Sequence, residues 1–282
     1  MSCVDPNLER RNAFAQAWNI GNGYSDLNEA LATCNYDVVS ICSPSAMHIE
    51  NLAQVLAARP KAVFCEKPIG TPAMAAKKMV QDYERDGVAL AVNYSRRWDP
   101  EIGELKQAIQ TGTWGAVRSA TGHYTKGLLH NGAHMIDLLM LLLGDVRQIN
   151  ALHTTVDHNS DDPSVDAFLI MGDGVRVHLV AGDARDFPIF ELTLVMENGV
   201  VSIEQGGLTI RQRPAVDSPL FTGHRVIEDR PSRPGGARAA MMAAVTNIHD
   251  HITNGVPLAS TGITALASER VCNDLTAAAQ AQ

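Results

Sequence analysis

Two short apolar runs, each followed at once by polar residues, place the strongest constraint on how this 282-residue chain can fold. The first run spans 37–42 and leads into Ser43-Pro44, and the second spans 61–65 and leads into Glu66-Lys67-Pro68. Apolar runs of this length are typical of strands that are buried on both faces of a parallel sheet. Because ligands bind beyond the carboxyl ends of such strands, we expect a binding site at these two polar clusters.

The first third of the chain alternates predicted helices with predicted strands. Helices are predicted at about 6–18, 25–32, 46–58 and 71–85, and strands at 37–42, 61–65 and 88–93. Alternation of this kind implies right-handed crossover connections and a parallel sheet. We therefore predict an α/β domain over 1–97 with an incomplete, doubly wound parallel sheet.

The rest of the chain has the turn signals of an antiparallel sheet. Gly172-Asp173-Gly174 and Glu197-Asn198-Gly199 supply the positive backbone angles that tight hairpins need. The predicted strands are 164–171, 175–182, 189–196, 200–205 and 208–213. We predict an α+β domain over 98–282 whose strands form an open meander with helices on one face. An exposed apolar sheet face is normally buried against another surface. We therefore expect a homodimer or homotetramer that assembles through the other face of this sheet.

The charge and cysteine content of the chain disfavour several classes of partner and location. The formal net charge of −8 disfavours nucleic acid and anionic membranes, because both require a basic surface. The five cysteines show no paired spacing, and no apolar run approaches the length of a membrane span or a secretory signal. We expect a cytoplasmic protein with a small-molecule substrate.

Four motifs, taken in order, resemble one enzyme family. They are the segment 37–48 with its Ser-Pro-x-x-x-His ending, Cys65-Glu66-Lys67-Pro68, Tyr94-Ser95-Arg96-Arg97-Trp98, and Asn131-Gly132-Ala133-His134-Met135-Ile136-Asp137. Together they resemble the glucose-fructose oxidoreductase, inositol dehydrogenase and rhizopine-catabolism (Gfo/Idh/MocA) group. The resemblance implies a Rossmann-like dinucleotide-binding domain, NAD or NADP as cofactor, and a sugar, cyclitol or nucleotide sugar as substrate. It also implies dimers or tetramers.

The amino-terminal region departs from this family pattern. Members open with a strand, a Gly-x-Gly-x-x-Gly turn and a helix, whereas this sequence starts at what corresponds to the second strand. Gly21-Asn22-Gly23 lacks the third glycine and follows a predicted helix, so we expect a turn between two helices there. Loss of the central strand leaves its two neighbours unpaired. We expect the sheet to close around the gap; a longer natural polypeptide or a partner that covers the edge are the alternatives.

The resemblance also assigns roles to single residues. Oxidation of a sugar carbon needs a hydride transfer and a proton transfer, and the catalytic candidates are Lys67, His134 and the neighbouring His130. His130 stands where many members carry an aspartate. Asp137, three residues after His134, is placed to orient the imidazole, and the Lys67-Pro68 bond is expected to be cis. The candidates for cofactor binding are Asp5, Ser43, Pro44, His48, Glu66 and Arg97.

Other interpretations of the same residues stay open. His130 and His134, with His123 as third ligand, would bind a metal from one helix face, but we predict no metal site. Arg96 and Arg97 either contact cofactor or substrate, or form a salt bridge beside a plug made by Trp98. The alternative to an oxidoreductase is a non-redox relative. It would be a sugar-binding or regulatory protein, or a lyase or hydrolase that uses Lys67 and His134 for proton transfer alone.

Overall fold

A computed structural model describes residues 1–281, and the chain divides into two compact units. The first unit contains 1–93 and 250–266, and the second contains 94–249 and the chain from 267 onward. The sequence placed the division at 97/98 and did not assign 250–266 to the first unit. Within 1–281, no helix combines the length and the apolarity that crossing a lipid bilayer requires.

Parallel strands and helices alternate along the amino-terminal part of the first unit, as predicted. The elements are β1 (Ser2–Val4), α1 (Leu8–Ala17), β2 (Asn22–Tyr24), α2 (Leu27–Thr33), β3 (Val38–Ile41), α3 (His48–Ala57), β4 (Ala62–Cys65), α4 (Ala73–Asp86) and β5 (Ala89–Val92). Strands β3, β4 and β5 form a parallel three-stranded sheet, in which Ile41, Cys65 and Val92 are aligned. The central strand β4 is buried, and Ala62, Val63 and Cys65 have no exposed surface.

The gap expected in this sheet stays open. Within the described residues β1 pairs only with β2, and β3 pairs only with β4, so the expectation that the sheet closes around the gap is wrong. Strand β3 was also expected to be buried on both faces, but Val38 is 43% exposed and Cys42 is exposed. These residues are exposed because β3 has a neighbouring strand on one side only.

Residues Gly21-Asn22-Gly23 do not form the turn between helices that the sequence indicated. Asn22 and Gly23 belong to β2, which runs parallel to β1, and neither glycine has a positive φ. Helix α1, which connects the two strands, buries none of its residues and leaves Phe14 and Trp18 exposed. The β1-α1-β2 segment therefore keeps apolar surface beside the open strand edges.

The second unit is built on one mixed sheet of nine strands. Its elements are α5 (Pro100–Gln110), β6 (Val117–Tyr124), α6 (Ala133–Leu143), β7 (Val146–Asn159), β8 (Asp162–Met171), β9 (Val175–Ala181), β10 (Phe190–Met196), β11 (Gly199–Glu204), β12 (Thr209–Asp217), β13 (Arg225–Ile227) and β14 (Arg233–Pro234). Helices α7 (Ala240–Asn254) and α8 (Gly262–Gln280) follow. The strand order is β13-β12-β11-β10-β6-β9-β8-β7, with β14 beside β12. The predicted hairpins are present, but β6 separates β9 from β10 and runs parallel to β9, so the strands are not a simple meander.

The two faces of the nine-stranded sheet differ. Alternate residues such as Leu179, Leu192 and Leu194 are buried. A Cβ added at Gly122 would lie 2.9 Å from Met135 Sδ, which shows that α6 packs closely on this face. Residues on the opposite face, among them Phe168 and Val195, keep exposed surface. The sequence correctly indicated one covered and one uncovered face.

The open edge of β3 predicts an alternating pattern of amide exchange. The carbonyls of Asp37 and Ile41 accept bonds from the chain of β4, so in a parallel ladder Val38 and Ser40 point to the open edge. We expect the amides of Val38 and Ser40 to exchange with deuterium much faster than those of Val39 and Ile41, as measured by NMR. In the fully paired β4, the consecutive amides of Val63 and Phe64 serve as the control and should be protected alike. Equal protection along β3 would mean that another strand occupies the edge.

Candidate active site

The carboxyl ends of β3, β4 and β5 bring three polar segments to one edge of the first unit's sheet. The parallel register places Ser43-Pro44, Glu66-Lys67-Pro68 and Asn93 just beyond the aligned ends of the three strands. This is the position at which open parallel sheets bind ligands. The sequence predicted the first two segments; the third was signalled only by its place after a strand.

His48 ties the ends of β3 and β4 together. Its Nδ1 lies 2.6 Å from the carbonyl oxygen of Pro68, and its Nε2 lies 2.9 Å from that of Ser43. The side chain is only 1% exposed. The expectation that His48 contacts a cofactor directly is therefore not met, because both ring nitrogens are engaged by backbone and the ring has no surface for a ligand. Its role in the structure is to hold two loops at the ligand-binding edge.

Asn93 and Glu66 connect the ends of β4 and β5. Asn93 Nδ2 donates a 2.8 Å hydrogen bond to Glu66 Oε1. The interaction fixes the amide orientation, because the opposite orientation would place two oxygens against each other. Asn93 Oδ1 is buried and has no hydrogen-bond partner among residues 1–281. Glu66 is thus held immediately beside Lys67 on a rigid strand end.

Lys67 follows β4 and is partly exposed, and its bond to Pro68 is cis, as the resemblance suggested. The backbone then packs closely on the start of α3. A Cβ added at Gly70, whose φ is +154°, would lie 2.5 Å from Ile49 Cγ1. The segment that carries Lys67 is therefore held against α3, and the lysine projects from an ordered loop.

Asp5 lies directly after β1, at the carboxyl end of that strand. Its carboxylate accepts a 2.7 Å hydrogen bond from Asn7 N, and its carbonyl accepts one from Arg11 Nη1. The side chain is partly exposed. Ser43 is also partly exposed, and its hydroxyl accepts a hydrogen bond from Asn51 Nδ2, while Pro44 is exposed. These residues occupy the positions that the sequence predicted for them, each at a strand end.

In the second unit, the buried Asp157 and the partly exposed Asp162 hold the loop that precedes α6. Asp157 Oδ2 accepts a hydrogen bond from Lys126 N, and Asp157 Oδ1 accepts one from Ser164 Oγ. The Ser164 hydroxyl in turn accepts from Gly127 N, and the carboxylate of Asp162 accepts from His130 N. No local sequence pattern indicated this cluster, because its members lie about thirty residues from the loop that they hold.

His134 lies in the first turn of α6 and is partly exposed. Its ring meets the ring of Tyr94 edge-on, with centroids 5.5 Å apart. Tyr94 is 1% exposed, and burial raises the pKa of its hydroxyl. His130 is exposed one turn earlier, and its ring lies 5.8 Å from that of His158. Both candidate histidines are thus in one short segment with surface available to a ligand.

Asp137 forms a buried ion pair with Arg97. The Arg97 guanidinium donates two 2.9 Å bonds from Nε to the two carboxylate oxygens, and Ser268 Oγ donates a third bond to Oδ1. The two side chains are 9% and 1% exposed. The sequence proposed Arg97 as a cofactor ligand, but Arg97 takes the alternative role and forms a salt bridge. Asp137 was expected to orient His134, but its carboxylate is bonded to Arg97 and Ser268.

Arg96 and Trp98 flank this ion pair. Trp98 is 5% exposed, and its indole nitrogen donates to Asn247 Oδ1, which agrees with the predicted aromatic plug. The Arg96 guanidinium lies 3.6 Å above the centre of the Phe190 ring. Burial lowers the pKa of Arg96 to about 10. The Arg96-Arg97-Trp98 motif thus stabilises the second unit around the start of α6.

A metal bound by His130, His134 and His123 has no support. His123 points to the uncovered face of the sheet, in register with Glu191 and Val180, whereas α6 packs on the other face. Within residues 1–281, no three or more His, Cys, Asp or Glu side chains are grouped in a way that would hold a metal ion.

Comparisons with known proteins agree with this architecture. Residues 1–94 match the model of an oxidoreductase family with an NAD-binding Rossmann fold. The chain is 27% identical to D-apiose dehydrogenase of Paraburkholderia graminis over 276 residues, which cover 89% of this chain and 72% of that protein. It is 36% identical to the rhizopine catabolism protein MocA of Rhizobium meliloti over 98 residues, which cover 34% of this chain and 31% of that one.

Solved structures share the fold across nearly the whole chain. An NAD binding oxidoreductase from Klebsiella pneumoniae superposes with a TM-score of 0.84 at 17% identity, covering 99% of this chain and 87% of the other. The WlbA dehydrogenase from Bordetella pertussis, solved with NADH and UDP-GlcNAcA, superposes with a TM-score of 0.79 at 20% identity, covering 99% and 88%. These likenesses establish the arrangement of elements.

Replacement of His48 tests its role in tying two strand ends. His48→Leu introduces an apolar side chain of similar size and leaves the carbonyls of Ser43 and Pro68 without their partner. We expect the free energy of unfolding in urea to fall by about 1–3 kcal/mol. The exposed His153, replaced by leucine, is the control and should change stability little. A loss no larger than that of the control would show that the contacts of His48 with these two carbonyls are not needed for stability.

The ion pair of Arg97 and Asp137 predicts strong coupling between the two residues. Arg97→Met leaves a buried carboxylate unpaired and should cost about 3–5 kcal/mol, whereas Arg97→Met with Asp137→Leu should cost clearly less. A double-mutant cycle in urea measures the coupling. Independent, additive effects would contradict the assignment.

Proposed function

We propose a function on the premise that this chain belongs to the Gfo/Idh/MocA family of oxidoreductases. It transfers a hydride between a nicotinamide cofactor and a hydroxyl or carbonyl carbon of a sugar, cyclitol or nucleotide sugar. The observation that carries this proposal is the edge formed by β3, β4 and β5, where side-chain hydrogen bonds fix the strand ends beside Lys67. Pre-positioned groups of this kind lower the reorganisation that a reaction requires.

Two residues are proposed to take part in transfer of the substrate's hydroxyl proton. Removal of a hydride from a carbinol carbon requires the hydroxyl proton to leave as well. Lys67, at the end of β4, contacts the reacting oxygen, and His134, at the start of α6, takes or returns the proton. The nicotinamide, when bound, accepts or supplies the hydride.

The residues at the strand ends of the first unit fit the ribose of a nicotinamide cofactor better than its pyrophosphate. Asp5, partly exposed at the end of β1, has the carboxylate that a ribose diol requires, and Ser43, Pro44 and Glu66 lie along the same series of strand ends. Residues 1–281 contain no Gly-x-Gly-x-x-Gly turn to cradle a pyrophosphate. Each lost hydrogen bond to a charged oxygen is worth about 1.5–3 kcal/mol, so we expect weak binding by these residues alone.

The relatives support a substrate class, and Asp5 supports a preferred cofactor. The relative with the longest match named above is an apiose dehydrogenase, which supports a small sugar as substrate, and D-glucoside 3-dehydrogenase of Escherichia coli is 27% identical over 172 residues. The carboxylate of Asp5 disfavours the extra phosphate of NADP, so we propose NAD. We further propose a cytoplasmic enzyme that assembles as a homodimer or homotetramer through the uncovered face of its large sheet.

Residues 1–281 contain no Gly-x-Gly-x-x-Gly turn, and for these residues alone the second candidate function is a non-redox one. A relative that binds a sugar, or that uses Lys67 and His134 for proton transfer alone, as in a lyase or hydrolase, has no need for a pyrophosphate cradle. The two candidates differ in whether a nicotinamide dinucleotide binds.

Cofactor binding and the role of Lys67 are tested together. We expect millimolar NADH to raise the melting temperature of the wild-type protein, and expect Lys67→Met to keep this shift while losing about 10²–10⁴-fold in kcat with NAD and D-apiose. Lys61→Met is the matched control, because Lys61 precedes the same strand at its opposite end and is exposed. It should change neither property.

The contrary results separate the two candidates. No shift with any nicotinamide cofactor, combined with a sugar-induced shift that Lys67→Met abolishes, would replace the redox proposal with the non-redox one. Full activity of Lys67→Met would remove Lys67 from the catalytic group.

A further inference from the structure

The backbone of Lys126 adopts a conformation that few residues with a Cβ atom accept. Its φ is +68°, and the next residue, Gly127, has a φ of +81°. Glycine takes such angles without steric cost and asparagine tolerates them, whereas other side chains make them unfavourable. Unfavourable backbone conformations persist where the surrounding structure imposes them, and they are concentrated at functional sites. A lysine at this position therefore needs an explanation in terms of what its side chain does.

Both neighbours of Lys126 are buried and anchored. Thr125 has no exposed surface, and its hydroxyl accepts a 3.0 Å hydrogen bond from Ile189 N. Gly127 is buried, and its N donates a 2.9 Å hydrogen bond to Ser164 Oγ. Lys126 itself is partly exposed. The loop thus has a fixed backbone with one long side chain at its surface.

The carboxylates that contact this loop bond to its backbone amides and not to the lysine ammonium. Asp157 Oδ2 accepts a hydrogen bond from Lys126 N, and the carboxylate of Asp162 accepts from Leu129 N and His130 N. Within residues 1–281, the ammonium group of Lys126 forms no ion pair. The two negative charges therefore hold the loop, and the positive charge of the lysine is available to a group from outside the chain.

The loop closes onto the turn that leads to His134. Asn131 Nδ2 donates a 2.9 Å hydrogen bond to the carbonyl of Thr125, the residue before Lys126. Asn131 belongs to a π-helical turn, Leu128–Gly132, and precedes His134 by less than one helical turn. Such π-helical turns are rare and occur frequently at functional sites. The contact places the backbone of Lys126 beside the segment that carries the proposed proton-transfer residue of this unit.

We infer that Lys126 binds an anionic group of the sugar substrate and makes this chain selective for acidic or phosphorylated sugars. A lysine ammonium is a compact point charge with three N–H donors, so it binds the oxygens of a carboxylate or of a phosphate. A hydrogen bond between charged groups is about twice as strong as one between neutral groups, so one such contact is sufficient for selectivity. The inference rests on the proposed function, because it assigns a substrate class to the same site.

Equilibrium binding of three sugars measures this selectivity. D-Glucuronate and D-glucose 6-phosphate carry a carboxylate and a phosphate, respectively, at the position where D-glucose carries a neutral hydroxyl. We expect the wild-type protein to bind at least one of the two anionic sugars about tenfold or more tightly than D-glucose in titration calorimetry. The tighter of the two identifies the source of the anion. Each titration is done with and without millimolar NADH, so that the result does not depend on cofactor binding.

Variants of Lys126 assign the selectivity to its charge. Lys126→Asn removes the ammonium and keeps a residue that tolerates a positive φ. We expect this variant to lose the preference for the anionic sugar and to bind D-glucose as the wild type does, whereas Lys126→Arg should retain the preference. Lys106, the other lysine of the second unit, lies partly exposed on α5. Lys106→Gln removes the same charge there and should leave all three affinities unchanged.

Lys126→Gly separates binding from a structural role. Glycine accepts the positive φ without strain, so we expect a melting temperature equal to or above that of the wild type, together with loss of the preference for the anionic sugar. A lower melting temperature with the preference retained would show that the side chain serves the fold, and would contradict the inference.

Two further results would overturn the inference. One is a wild-type protein that binds the three sugars equally or binds none of them. The other is a preference for an anionic sugar that persists in Lys126→Asn, because another residue would then bind the anion. Neither result bears on hydride transfer with NAD, which the melting experiment with NADH and the Lys67→Met variant test separately.

Discussion

Backbone pairing between β3, β4 and β5 is the constraint on which the candidate site depends. The parallel register brings the last residues of three strands into line, so the polar residues that follow them lie at one edge. Two side-chain contacts then fix that edge: His48 holds the carbonyls of Ser43 and Pro68, and Asn93 holds Glu66. Lys67 owes its position to this scaffold, since the residues on both sides of it are held in place.

The strands of the first unit also show the main departure from a complete dinucleotide-binding fold. β1 and β3 each have an open edge, and α1 buries no residue. Unpaired parallel edges and exposed apolar side chains beside them are costly for a folded protein and are normally covered.

Local patterns in the sequence were sufficient for much of this structure. The apolar runs at 37–42 and 61–65 predicted the strands β3 and β4, and the Asn-Gly and Asp-Gly turns predicted hairpins in the second unit. What local patterns do not contain is pairing between distant segments. Three features depend on contacts between residues far apart in sequence. They are the insertion of β6 between β9 and β10, the open edge of β3, and the carboxylates that hold the His130 loop. The role of His48 was missed for the same reason, because its partners Ser43 and Pro68 belong to two different loops.

A crystal structure of the protein with NADH would test the central claim most directly. The account predicts that the nicotinamide ring lies at the carboxyl ends of β3–β5, with Lys67 Nζ facing the space beside its reactive carbon. NADH bound at any other part of the surface, or Lys67 directed away from the nicotinamide ring in that complex, would contradict it.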